Sequence, residues 1–77
     1  MTAYTLAGVD GNAYAIMGYV RIAMRRTGMS REDIDAYIKD ATSSDYNHLL
    51  VVSSEMIDKV NEILGLDEYE DYEYDDY

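Results

Sequence analysis

Apolar positions recur along most of the chain at helical spacing, and three stretches carry the pattern. In the first, Ala13, Ile16, Met17, Val20, Ala23 and Met24 form a stripe that Tyr14, Tyr19 and Ile22 widen almost all round. A helix of that kind is central to a fold or turns one face to a partner. Asp10-Gly11-Asn12 ahead of it is turn chemistry, and either Asp10 or Asn12 can accept from the free amides of a first turn. Arg21, Arg25 and Arg26 gather toward the far end, where cations complement the helix dipole. Gly28 stands where a left-handed residue would end the helix, with Met29 returning to Met24 in a Schellman-type stop.

The second stretch opens at Ser30-Arg31-Glu32-Asp33, close to a capping box with Asp in place of Glu. Ile34, Tyr37, Ile38 and Ala41 follow at i, i+3, i+4 and i+7, an amphipathic helix that ends in Thr42-Ser43-Ser44. Ser44 or Asp45 caps the third, whose stripe is Tyr46, Leu49, Leu50, Ser53, Met56, Ile57, Val60, Ile63 and Leu64. Ser53-Ser54 interrupts that stripe, and two hydroxyls competing for backbone groups predict a kink or break there. Glu55 and Lys59 make a favourable i, i+4 pair. Gly65 supplies the stop, with Leu66 able to touch Asn61 and Val60. Residues 1–9 alternate only weakly and have no partner strand, so they read as irregular chain packed on the helices. The expected fold is all-α, a compact three-helix bundle over residues 1–66. Residues 67–77 follow as an acidic, tyrosine-rich tail that should be disordered on its own.

Composition narrows the chemistry. The chain has 77 residues, enough for one small domain with a thin core. With no Cys and one His it offers no disulfide, no thiolate metal site and no His-rich site. No metal and no cofactor are expected. The start MTAYTLAGVDGNAY lacks the basic opening and apolar run of a leader, and no apolar stretch is long enough to span a bilayer. A cytoplasmic protein is the expectation. The net charge of −10 is unevenly placed: residues 1–64 hold nine acids and six bases, −3, and residues 65–77 hold seven acids and no base, −7. Such a chain repels nucleic acid and anionic lipid and is drawn to basic surfaces.

Four strings share a wider pattern: Asp10-Gly11-Asn12-Ala13, Ile16-Met17-Gly18, Arg25-Arg26 with Gly28, and Asp45-Tyr46 with His48-Leu49-Leu50. Together they cover roughly residues 6–52 and resemble a family of small proteins encoded by bacteriophages and mobile elements. The resemblance implies a phage-like setting and brings no catalytic residue with it. From Val51 onward the chain, with its helix and acidic tail, departs from the shorter ending of that family, and this extension is where a function particular to this chain would lie.

Two sets of residues stand out as candidate sites. The first is Asp67, Glu68, Tyr69, Glu70, Asp71, Tyr72, Glu73, Tyr74, Asp75, Asp76 and Tyr77, joined by Asp33, Asp40 and Asp58 on the second and third helices. Carboxylates can replace phosphates against Arg and Lys, and tyrosine rings can replace stacked bases. This set predicts a non-enzymatic interaction protein. By analogy it would be a phage-encoded inhibitor of the anti-CRISPR or anti-restriction type, occupying the nucleic-acid-binding surface of a basic host protein. The plain alternative is a solubilising run. The second set is Arg21, Arg25, Arg26 and Arg31, an anion or nucleotide site in a self-assembling helical protein, or simply helix-end charge. Direct binding of nucleic acid or membrane is not expected; homo-oligomers stay open.

The remaining candidates are weaker. Gly18 lies inside a helix, where glycine costs about 1 kcal/mol relative to alanine. With Gly11 and Ala15 it reads as a close-packing face, against another helix of the chain or against a second copy. His48 sits three residues after Asp45, half of a hydrolytic triad, but nothing around it supplies a nucleophile. It reads as a helix-surface or loop contact. Asp10-Gly11-Asn12 lacks the ligand series of a calcium loop.

Overall fold

Three short side chains placed just ahead of the apolar runs decide where the helices begin. Asn12 Oδ1 accepts from the Tyr14 amide at 2.8 Å and starts α1, Ala13–Arg26. Ser30 Oγ accepts from the Asp33 amide at 3.1 Å and starts α2, Arg31–Ala41. Asp45 Oδ1 accepts from the His48 amide at 2.9 Å and starts α3, Tyr46–Leu64. Each satisfies one of the amides that a first turn leaves free. Asp10 has the neighbouring role: its carboxylate accepts from the Asn12 amide at 3.1 Å and fixes the turn before the cap.

The helix ends are equally local. Gly28 takes φ +84°, the Met29 amide donates to the Met24 carbonyl at 3.1 Å, and the Gly28 amide donates to Arg25 at 3.0 Å. That is the Schellman stop expected of α1. Thr42 and Ser43 finish α2 by donating their hydroxyls to the carbonyls of Ile38 and Asp40, at 2.8 and 2.7 Å.

The fold is described by a computed structural model over residues 3–65. The Leu66 contact, the acidic-tyrosine tail and the disorder expected of it lie outside the described residues. Within them the architecture is a three-helix bundle. Connections of four residues between α1 and α2 and between α2 and α3 make sequential helices antiparallel neighbours. α3 packs on both of the others, and the core lies along their meeting line: Ile16, Met17, Val20, Ala23 and Met24 from α1, Ile34, Tyr37 and Ala41 from α2, and Leu49, Val52, Ile57 and Val60 from α3.

The break expected at Ser53-Ser54 is absent, and α3 runs unbroken through both serines. Ser53 is completely buried, and its hydroxyl meets the Tyr37 hydroxyl at 2.6 Å across the α2–α3 interface. A hydroxyl engaged on a neighbouring helix does not compete for its own backbone. Ser54 faces solvent. The α3 stripe also sits slightly off the expected one. Val52 is buried, whereas Tyr46, Ile63 and Leu64 are exposed. Ile63 and Leu64 lie in the last turn of α3, where the other described residues leave them exposed.

The N-terminal segment is irregular and packed on the helices, as its weak alternation suggests. Asn61 of α3 holds it like a single rung of sheet: the Tyr4 amide donates to Asn61 Oδ1, and Asn61 Nδ2 donates to the Tyr4 carbonyl, both at 2.8 Å. The Tyr4 ring meets Tyr19 edge-on at 5.9 Å, and the Tyr19 hydroxyl accepts from the Thr5 amide at 2.9 Å.

Removing either hydroxyl of the Tyr37–Ser53 pair strands the other in an apolar interior. Tyr37→Phe and Ser53→Ala should each lower the unfolding free energy by about 1–3 kcal/mol, and the double variant by less than the sum. Urea unfolding followed by circular dichroism measures this. Desolvation also raises the Tyr37 pKa above its ordinary 10.0, with the Ser53 hydrogen bond acting in the opposite sense. The folded chain then keeps a proton that the unfolded chain releases near pH 10. The contribution of Tyr37 to stability is therefore complete below about pH 10 and is lost as the pH rises through its folded value. Tyrosinate absorbance and helicity, followed together in an alkaline titration, should show this phenol ionising as the helices melt.

Candidate functional site

One face of α1 carries, at i, i+4, i+7 and i+11, the exposed Tyr14, the half-buried Gly18, and the exposed Arg21 and Arg25. Facing them across the shallow contact between α1 and α2 are Arg31, Ile34, Asp35 and Ile38. Between the two walls runs an open groove of about 810 Å³, with Met17, Met29 and Ile34 contributing its apolar parts. The fold thus gathers three of the four arginines singled out from sequence into one site. Arg26 is not among the groove-lining residues, since its position turns it to the other side of α1.

Charge in the groove is poorly balanced. Asp35 is its one carboxylate, and it approaches Arg31 Nε at 4.0 Å with both side chains largely in solvent. Such an exposed i, i+4 pair is weak. Among the described residues no carboxylate pairs with Arg21 or Arg25. These two guanidinium groups stand four residues apart on one helix face, a like-charge arrangement that opposes helix stability by a few tenths of a kcal/mol.

Gly18 does not close-pack within the chain. A methyl group added there would meet nothing within 4 Å. The reading of Gly18 as an internal close-packing face is therefore corrected: its missing side chain leaves space in the groove, between Tyr14 and Arg21. Periodicity places Tyr14 only in the apolar stripe, yet it is 82% exposed at the groove's end. The helical spacing of Tyr14 with Arg21 and Arg25 is the signal that could have joined them.

The acidic candidates are distributed differently. Asp33 and Asp40 line a cleft between α2 and α3 with Glu55 and Lys59, while Asp58 is exposed on α3 and is not among the residues lining that cleft. Asp40 is already engaged. Its carboxylate and its backbone carbonyl both lie near His48 Nε2, at 3.1 and 3.0 Å. Both are acceptors, so Nε2 carries a proton and the ring ties the end of α2 to the start of α3. The sequence pair Asp45 and His48 is a helix cap through the backbone amide, with the ring turned to Asp40 instead. Residues 67–77 lie outside the described residues.

Among the described residues no group of three or more His, Cys, Asp or Glu side chains could hold a metal ion, and no helix is long and apolar enough to cross a membrane. Comparison with protein-family models, with curated proteins and with solved structures returns no match.

Two glycines of opposite role separate groove from scaffold. Gly18→Ala should raise stability by about 0.5–1 kcal/mol, because the position is helical and unobstructed. Gly28→Ala should lower it by about 1–2 kcal/mol, because φ +84° is strained for any residue with a Cβ. Thermal unfolding of the two variants gives the signs.

Proposed function

We propose that the protein is a non-enzymatic binding protein whose α1–α2 groove receives an anionic group attached to a flat ring. The observation that carries this reading is the convergence of Arg21, Arg25 and Arg31 on one groove against a single carboxylate. Guanidinium groups take phosphate or carboxylate in paired hydrogen bonds, which suits them to this role better than lysines. Tyr14 lies seven residues before Arg21 on α1, about 10 Å along the axis at 1.5 Å per residue. That span fits a ligand with its charge at one end and an aromatic face at the other.

A nucleoside triphosphate and an acidic tyrosine-containing peptide are the two probes, one for each source of anion. With Arg21→Gln, Arg25→Gln and Arg31→Gln combined, binding should weaken at least about tenfold, since each charge-assisted hydrogen bond is worth about 1.5–3 kcal/mol. Calorimetric titration at low salt measures it, with circular dichroism confirming that the variant folds. Equal binding by a folded triple variant would remove the groove from the function.

The charge partition favours a second reading, inhibition of a basic host protein by acidic mimicry. Seven carboxylates and four tyrosines lie in residues 67–77, and no base accompanies them. The resemblance to phage and mobile-element proteins supplies a setting for such an inhibitor. Replacing those seven acids by Asn and Gln should abolish capture of nucleic-acid-handling proteins at low salt. Undiminished capture by the neutralised chain would end this reading.

A further inference from the structure

We infer that the occupant of the α1–α2 groove is the chain's own acidic segment, residues 67–77, docked in cis against Arg21, Arg25 and Arg31. The inference rests on the proposal that this groove receives anionic, ring-bearing groups. Charge complementarity is its first support. The groove carries three guanidinium groups and one carboxylate, +2, in a chain of net charge −10. Three of the six cationic side chains in the sequence line this one surface. The acids of the described residues leave Arg21 and Arg25 unmatched, so the like-charge pair on α1 gains most from an anion that arrives from elsewhere.

Chemistry is the second support. The groove combines guanidinium groups with Met17, Met29, Ile34 and an exposed tyrosine ring. Residues 67–77 interleave Asp and Glu with Tyr69, Tyr72, Tyr74 and Tyr77. Carboxylates can meet the arginines while tyrosine rings cover the methionines and Tyr14.

Chain geometry is the third. The Tyr46 hydroxyl donates to the Gly11 carbonyl, which places the start of α3 beside the start of α1. α3 therefore runs alongside α1 and ends at the pole where α1 also ends and α2 begins. Arg25 and Arg31 stand at that pole. Gly65 turns the chain there with φ +69°. Twelve residues follow it (66–77), and extended they reach about 40 Å, more than the 25 Å of the molecule's second dimension. A tether that short holds its end at an effective concentration on the millimolar scale, enough to fill a weak site. The docked tail then competes with any outside anion for the arginines. It leaves them only when a more basic surface offers its carboxylates better partners.

The absence of cysteine makes the test direct. A nitroxide is attached to Tyr72→Cys in the full chain, and amide signals are recorded at low salt. Broadening should be strongest at Gly18, Arg21, Arg25 and Ile34, and weak at Val51, Ser54 and Asp58 on the outer side of α3. It should disappear at high salt and in the Arg21→Gln, Arg25→Gln, Arg31→Gln variant. Uniform or α3-confined broadening overturns the inference. If a nucleoside triphosphate still shifts the groove signals in that case, the groove reading survives; if it shifts none, that reading falls as well. In a mixture of isotope-labelled chain with spin-labelled chain, broadening of the groove signals would make the occupant a neighbouring copy's tail and overturn docking in cis.

Discussion

The hydrogen bond between Tyr37 and Ser53 fixes how α2 lies on α3, and the bundle is arranged around it. Both hydroxyls are shut away from water, where an unpartnered polar group costs about 1–3 kcal/mol. Apolar contacts tolerate sliding, because one methyl group satisfies another almost as well as its neighbour. A 2.6 Å hydrogen bond does not, because sliding α2 along α3 out of this register would part the two hydroxyls. The same bond occupies the hydroxyl that could have broken α3, and the helix is continuous. A continuous α3 is long enough to receive Gly11 at one end, through Tyr46, and Tyr4 near the other, through Asn61.

That register leaves α1 and α2 in only slight contact, and the groove is the result. α3 draws the larger apolar side chains of both helices toward itself, so the outer sides of α1 and α2 meet across Gly18, Met17 and Ile34 with little to fill the space. A larger residue at position 18 would begin to close it. Arg25 borders the opening from the last turn of α1, where a cation complements the helix dipole; Arg21 lies one turn earlier on the same face, and the short connection brings Arg31 round to face them. The core and the arginines thus lie on different sides of the same two helices.

Polar side chains hold the remaining joints. His48 joins the end of α2 to the start of α3 by donating to Asp40, and Asn61 carries the N-terminal segment. In a chain without disulfides these contacts limit fraying where the thin core gives least protection. They also account for polar residues that were candidates for chemistry. Asp45 and His48 are structural, and Asp40 is drawn into the same joint.

Much of the fold was legible in the chain itself. The caps at Asn12, Ser30 and Asp45, the stop at Gly28 and the stripes of α1 and α2 depend on hydrogen bonds and spacings within a few residues, and local sequence specifies those completely. The partition of charge was equally visible, since it needs only counting. The continuity of α3 was not, because the partner of Ser53 lies sixteen residues away on another helix. Nor were the burial of Val52, the space beside Gly18, the hold of Asn61 on Tyr4, or the separation of Arg26 from Arg21, Arg25 and Arg31. Sequence periodicity tells which side chains seek a core. Only packing three helices together decides which of them reach it, and which charges are left facing one another across an open groove.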